Sequence, residues 1–217
     1  MSSTATTSPV ATPPGTLFIV SAPSGAGKTS LVNALLEKDA ALAVSVSHTT
    51  RPRRPSETDG VNYHFVSPAR FEAMVAAGDF LEHAEVFGHR YGTARAVVDA
   101  RLGQGADVIL EIDWQGAAQI RRSHPDSVSV FILPPSTATL RARLIKRGQD
   151  DPAVIETRLA EARGEMAHHA EFDFLVVNDR FEDALEELCA ITRAQRCRQV
   201  RRAALLQPLL KDLLSAP

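Results

Sequence analysis

The residues with the clearest chemistry are Ser21-Ala22-Pro23-Ser24-Gly25-Ala26-Gly27-Lys28-Thr29-Ser30. An apolar run rich in β-formers, Leu17-Phe18-Ile19-Val20, precedes them. Leu31-Val32-Asn33-Ala34-Leu35-Leu36 follows, apolar at helical spacing. Strand, glycine-rich loop and helix together are the context in which such a loop binds nucleotide phosphates. Its glycines let backbone N–H groups turn toward phosphate oxygens, and the helix N-terminus adds partial positive charge. Lys28 is expected to reach the β- and γ-phosphates, and the Thr29 hydroxyl to ligate Mg²⁺. Ala22 departs from the pattern G-x-x-x-x-G-K-[ST], where the first glycine belongs. The turn survives that methyl group if Ala22 keeps a negative φ.

A second cluster follows the end of a predicted strand. The stretch from Thr49 to Phe65 crowds Arg51, Arg53 and Arg54 with hydroxyl side chains. Guanidinium groups there can make charge-assisted, bidentate bonds to a phosphate, with Tyr63 adding a phenolic donor. Without the upstream loop, the same residues would read as a solvated basic loop. Other candidates carry less. Arg193, Arg196, Arg198, Arg201 and Arg202 mark a basic helix face expected to be solvated, its cations suiting the C-terminal end of the helix dipole. His168-His169 and the remaining histidines lack metal-ligand spacing. Cys189 and Cys197 fall on one predicted helix, too far apart for a disulfide. They are expected to be partly buried small apolar residues, consistent with a reducing compartment.

These residues need a scaffold. A chain of 217 residues, 44% hydrophobic and 23% charged, suits one α/β domain with smaller inserted lobes. The formal net charge of −2 supplies no domain-wide basic field, so nucleic acid is not an expected partner. Residues 1–15 are Ser, Thr, Ala and Pro with little else, and are expected to form a disordered tail rather than a secretory or transit signal. No apolar run reaches membrane-spanning length, and the expected location is cytoplasmic. Further along, 43–47 alternates as a short strand, and the polar, Arg- and Pro-rich run 48–60 is expected to form no core element. Tyr63 to Val66 resumes β character. Ser67-Pro68 starts a helix that buries Phe71, Met74 and Val75 and stops at Gly78. Phe80 to Phe87 reads as extended, turning at Gly88-His89-Arg90, and Thr93 is expected to cap a helix ending near Gly103. Apolar strands follow at 108–113, 127–133 and 174–178. Helices are expected at 136–148, onward to about Ala170, and from Phe181 in one long stretch ending before Pro208. Apolar strands alternating with helices predict a parallel sheet covered on both faces, interrupted by an inserted lobe between His48 and Phe87.

From Thr49 to Phe65 the chain matches T-[ST]-R-x-x-[KR]-x-x-[DE]-x-x-G-x-x-Y-x-[FY] at every fixed position, and here it resembles the guanylate kinase family. The likeness continues through Phe80 to Val86, Tyr91-Gly92-Thr93, Glu111-Ile112-Asp113-Trp114-Gln115-Gly116, Pro134-Pro135-Ser136 and Val177-Asn178-Asp179. It covers nearly everything from Thr16 to about Arg202. The resemblance implies an α/β core of the P-loop NTPase type over 16–207, with a mixed NMP-binding lobe at about 48–92, a helical lid at about 143–165 and a C-terminal tail at 208–217. It implies Mg²⁺-dependent transfer of the ATP γ-phosphate to GMP, giving GDP and ADP. Arg51, Arg54, Tyr63 and Tyr91 would hold the GMP phosphate, with Glu57 in the same set, while Ser47, Glu82, Thr93 and Asp113 would read or support the guanine. Lys28, Arg51, Arg143, Arg147 and Arg158 would form the catalytic set, the last three closing over ATP. Ala22 to Ser30 would hold the ATP phosphates, and Asn178 would contact adenine. Glu111 stands where aspartate is more familiar in that family, and its role is left open, as are dGMP use and self-association. Two alternatives stand beside this reading. A guanylate-kinase-like binding domain without catalysis would typically lose the loop lysine or the lid arginines, and a ribose bisphosphate kinase would not need the Thr49–Phe65 pattern.

Overall fold

The computed structural model describes residues 13–146 and 152–215. Most of the expected N-terminal tail, residues 147–151 with Arg147 among them, and the last two residues lie outside them. Strand β1 (Leu17–Ser21), buried along its whole length, leads into the phosphate loop, and α1 (Lys28–Lys38) leads out of it. β1 is the middle strand of a five-stranded parallel sheet. On one side it pairs with β7 (Asp107–Glu111), which pairs with β2 (Leu42–Val44). On the other it pairs with β8 (Val128–Leu133), which pairs with β9 (Phe174–Val177). A parallel strand covered on both faces can be apolar at every position, and alternate residues of β1 serve two cores. Phe18 and Val20 pack with Leu31 and Leu35 of α1 and Leu185 and Leu188 of α7 (Phe181–Arg196). Leu17 and Ile19 pack with Val98 of α3 (Arg95–Gly103) and Ile120 of α4 (Trp114–Ser123).

The inserted lobe has its own mixed sheet, in the order β4 (His64–Phe65), β3 (His48–Thr49), β6 (His89–Ala94), β5 (Phe80–Val86). β3 and β4 are parallel and the other pairs antiparallel. Helix α2 (Pro68–Ala77) packs Phe71 and Met74 against Phe80. Its start is as expected: the Ser67 hydroxyl accepts the Arg70 N–H at 3.2 Å, and Gly78 closes the helix in the left-handed region at φ 71°. Helices α5 (Thr137–Lys146) and α6 (Pro152–Ala167) share a small separate core of Leu140, Leu144, Ile155, Leu159 and Ala162. A 3₁₀ turn, His168–Glu171, follows α6. No helix among the described residues is long and apolar enough to cross a membrane.

Several local expectations are corrected. His48 and Thr49 sit inside the polar run yet form a strand between β4 and β6, with Thr49 fully buried, because the lobe satisfies them through backbone pairing. The hairpin turns at Phe87-Gly88, with φ of 52° and 71°, since His89 and Arg90 already pair with Val86 and Glu85. Thr93 caps no helix; it lies in β6, and Ala94 precedes α3. The single terminal helix is three: α7, α8 (Gln199–Leu205) and α9 (Gln207–Leu214), with Pro208 in the first turn of the last, where a missing N–H is tolerated. Cys189 is buried but Cys197 is exposed just past the end of α7. The basic face is not simply solvated either. Arg196 and Arg201 both converge on the carboxylate of Asp107, which is 1% exposed.

Candidate active site

The phosphate loop is bent at Gly25 (φ 92°) and Gly27 (φ 97°), a backbone region that side chains rarely adopt. Among the described residues only Phe87 combines a side chain with positive φ, so Ala22 keeps the negative φ its place in the motif needs. The loop is held by residues distant in sequence. The Asn178 side-chain amide donates to the Ala26 carbonyl at 2.7 Å, and a Cβ on Gly27 would lie 2.4 Å from that same nitrogen. Arg143 of α5 donates to the Asn178 carbonyl at 2.9 Å and to the Ala26 carbonyl at 3.4 Å. The Ser24 N–H donates to the Glu165 carboxylate of α6 at 3.2 Å. Asn178, expected beside adenine, thus has its amide engaged with the loop backbone. Nothing in the sequence singles out Glu165 among the acidic residues of its helix; only the tertiary contact does.

At the start of α1 the Thr29 hydroxyl donates to Glu111 Oε2 at 2.9 Å. Glu111 ends β7, the strand beside β1, which explains how residues so far apart in sequence meet. A hydroxyl and a carboxylate are the hard oxygen donors that Mg²⁺ prefers, and that ion characteristically takes only one or two protein ligands alongside phosphates and water. The residues present therefore fit it.

In the lobe, Arg51 makes a two-point ion pair with Glu57, at 2.6 and 3.1 Å, and donates to the Pro52 carbonyl at 2.8 Å. Glu57 also accepts the Arg54 backbone N–H at 2.8 Å. The Arg51 hydrogen bond, ahead of the other influences, holds the Glu57 carboxyl below the usual carboxylate range. The Arg51 guanidinium lies 5.5 Å from the centre of the Tyr63 ring, and Tyr63 meets Tyr91 edge-on at 5.8 Å. Arg51, Glu57, Tyr63 and Tyr91 thus form one cluster, with Arg54 on its exposed edge. Burial, chiefly, pushes the Tyr63 hydroxyl above its ordinary pKa.

Glu82 of β5 is 3% exposed and accepts a hydrogen bond from the Thr93 hydroxyl at 2.6 Å across the hairpin. Burial pushes its pKa up to about 7; the Thr93 hydrogen bond opposes the rise, nearby Asp113 adds to it, and Lys28 opposes it. Asp113 caps α4, one oxygen accepting the Gly116 N–H at 2.9 Å and the other the Gln115 amide at 3.1 Å. Ser47 lies just before β3, its carbonyl accepting the His64 N–H at 2.9 Å. Arg158 lies half-buried on α6. Lys28 acts on Glu82, and Glu111 acts on Tyr63, so the loop and the lobe lie within each other's electrostatic reach. Among the described residues no three His, Cys, Asp or Glu side chains cluster as a metal site.

Known proteins resemble this chain in sequence and in fold. The family model for guanylate kinase matches residues 15–195. A guanylate kinase of Alkalilimnicola ehrlichii is 64% identical over 201 residues, covering 93% of this chain and 99% of its own. One of Chromohalobacter salexigens is 57% identical over 93% of this chain and 94% of its own. The crystal structure of a guanylate kinase from Anaplasma phagocytophilum superposes with a TM-score of 0.75 at 32% identity, covering 91% of this chain and 97% of that one. With the phosphate loop, the arginine cluster and the buried carboxylate all in place, the chain belongs to the guanylate kinase family.

Proposed function

We propose that the chain transfers the γ-phosphoryl group of ATP to GMP, giving ADP and GDP, with Mg²⁺ as the metal. The observation that carries this reading is the juxtaposition of a phosphate loop with a lobe holding both an arginine–tyrosine cluster and a buried carboxylate. Ala22 to Ser30 cradle the ATP phosphates, Lys28 supplies charge at the β- and γ-groups, and Arg51, Arg54, Tyr63 and Tyr91 hold the phosphate of GMP. Glu57 positions Arg51. An oxygen of the GMP phosphate bonds to the γ-phosphorus as the bond to the departing ADP oxygen breaks. That attacking oxygen is already ionised near neutral pH, so no protein base is required. What the protein supplies is in-line placement and neutralisation of two groups that repel each other. Thr29 and Glu111 would hold Mg²⁺, directly or through water, and the ion would neutralise charge on the phosphate oxygens. Arg143, Arg147 and Arg158 would serve closure over ATP, which excludes water and so limits ATP hydrolysis.

Base choice falls to Glu82, supported by Thr93, Asp113 and Ser47. Guanine offers N1–H and N2–H side by side, a pair of donors that one carboxylate can accept. Adenine offers a lone pair at N1 and no amine at C2, which leaves the buried carboxylate without partners on the base. A coupled assay with MgATP and GMP, AMP, UMP or CMP as acceptor tests the reading. GMP is expected to exceed the others by about 10⁴-fold in kcat/KM. Comparable turnover of AMP would overturn the base assignment. Tight GMP binding with no transfer would favour the binding-domain alternative.

A further inference from the structure

We infer that Gly116 is a positioning residue for guanine recognition, present because the Glu82 carboxylate occupies the space its side chain would fill. The inference rests on Glu82 being the carboxylate that reads the base. Glycine at this position is not explained by backbone conformation. Gly116 lies in the first turn of α4, outside the set of glycines with positive φ, which among the described residues includes Gly25, Gly27 and Gly78. An alanine there would favour the helix, since glycine is the poorer helix former. Space explains it instead. A Cβ on Gly116 would lie 2.6 Å from Glu82 Oε2 and 3.2 Å from its carboxyl carbon, with Ile112 Cβ next at 3.3 Å.

Neither side of that contact is free to withdraw. The Gly116 N–H is held by the Asp113 cap at 2.9 Å, which fixes the backbone from which the Cβ would project. Glu82 is buried, and its other oxygen accepts from Thr93 at 2.6 Å. Moving the carboxylate away would stretch that hydrogen bond and turn Oε2 from the position in which it can receive a guanine N–H. Since Lys28 and Asp113 both act on the Glu82 carboxyl, its placement is also its charge environment. The missing methyl group at Gly116 thus sets where the base-reading oxygen stands, through a contact that leaves the phosphate loop untouched.

Wild type, Glu82→Ala, Gly116→Ala and the double variant decide it by steady-state kinetics with GMP and ATP. Gly116→Ala is expected to raise KM for GMP about tenfold or more, because a charged hydrogen bond is misplaced. Its KM for ATP should stay within about twofold, as uniform loss of a remote base contact predicts. In the Glu82→Ala background, where the obstructed carboxylate is gone, adding Gly116→Ala should change GMP kinetics less than about twofold. The same penalty in both backgrounds, or no GMP effect in the single variant, would overturn the inference. A damaging Glu82→Ala beside a harmless Gly116→Ala removes the role of Gly116 alone, whereas a harmless Glu82→Ala removes the base reading itself. Should Gly116→Ala fail to fold, folding of the double variant supports the contact with Glu82, and failure of both overturns it.

Discussion

Glu82 holds a carboxyl group where water scarcely reaches it, and its protonation decides what it can bind. Burial is the main cause of a pKa near 7, against an ordinary value of 4.5. Only the ionised form can accept both guanine donors, so GMP binding must draw off whatever proton is present. KM for GMP is expected to fall as pH rises through about 7. Glu82→Gln should flatten that profile, and the comparison cancels the ionisation of the GMP phosphate, which has its own step at about 6. A profile unchanged in the variant would remove Glu82 from base recognition. The same shift has a consequence for stability. The folded pKa lies above the unfolded one, so between about 4.5 and 7 the folded state binds more protons. The contribution of Glu82 is therefore fully present at low pH and lost as pH rises through about 7. Thermal melts without ligand should show the advantage of wild type over Glu82→Gln shrinking from acid to mildly alkaline pH, and a constant difference would contradict the assigned shift.

At the scale of elements, α7 and α8 are locked to the sheet by one buried carboxylate. Asp107 opens β7 and accepts from the Thr16 N–H at 2.7 Å, and from Arg201 and Arg196 at 2.6 Å each. Arg196 also pairs with Asp39 at 2.6 Å. Breaking a buried pair from one side leaves a charge uncompensated, so Asp107→Ala should cost about 3–5 kcal/mol in urea unfolding. Turnover per folded molecule should persist, because Asp107 lies at the opposite end of β7 from Glu111. A loss below about 1 kcal/mol would show the clamp to be incidental. Such a clamp was not readable from the chain: Arg201 and Asp107 are 94 positions apart, and composition gives an arginine run no address. The readable elements were those specified locally. β1, the loop and α1 announce themselves through β-formers, glycines and helical spacing, and α2 through Ser67-Pro68. The second cluster was legible because Arg51, Glu57 and Tyr63 sit at fixed intervals within one loop. β3 was hidden by its polar residues, the place of Thr93 in β6 by a partner on another strand, and Glu165 by lying 141 positions from Ser24.

Across the whole molecule, the phosphate loop is where the parallel sheet meets helices α5 and α6. α5 reaches it through Arg143, on the carbonyls of Ala26 and Asn178, and α6 through Glu165, on the Ser24 N–H. Just beyond α6, His168 stacks on Trp114 with ring centres 3.6 Å apart, joining that end of the helix pair to the start of α4 beside Asp113. Displacing α5 and α6 therefore disturbs the loop at one end and the start of α4 at the other. Arg143 tests whether this geometry serves catalysis or only fastening. Its donors meet backbone carbonyls at the loop, and a transferring phosphoryl group is a stronger acceptor for the same guanidinium. A contact that strengthens as charge develops lowers kcat and kcat/KM together when it is removed. Arg143→Ala is accordingly expected to lower kcat by about 10²-fold, with KM for GMP within about threefold because the lobe proposed to hold GMP is untouched. A purely fastening role gives a different result: a lower melting temperature with kcat preserved in the folded enzyme. Measuring turnover and melting on the same preparation separates the two, and preserved kcat would take Arg143 out of the catalytic set.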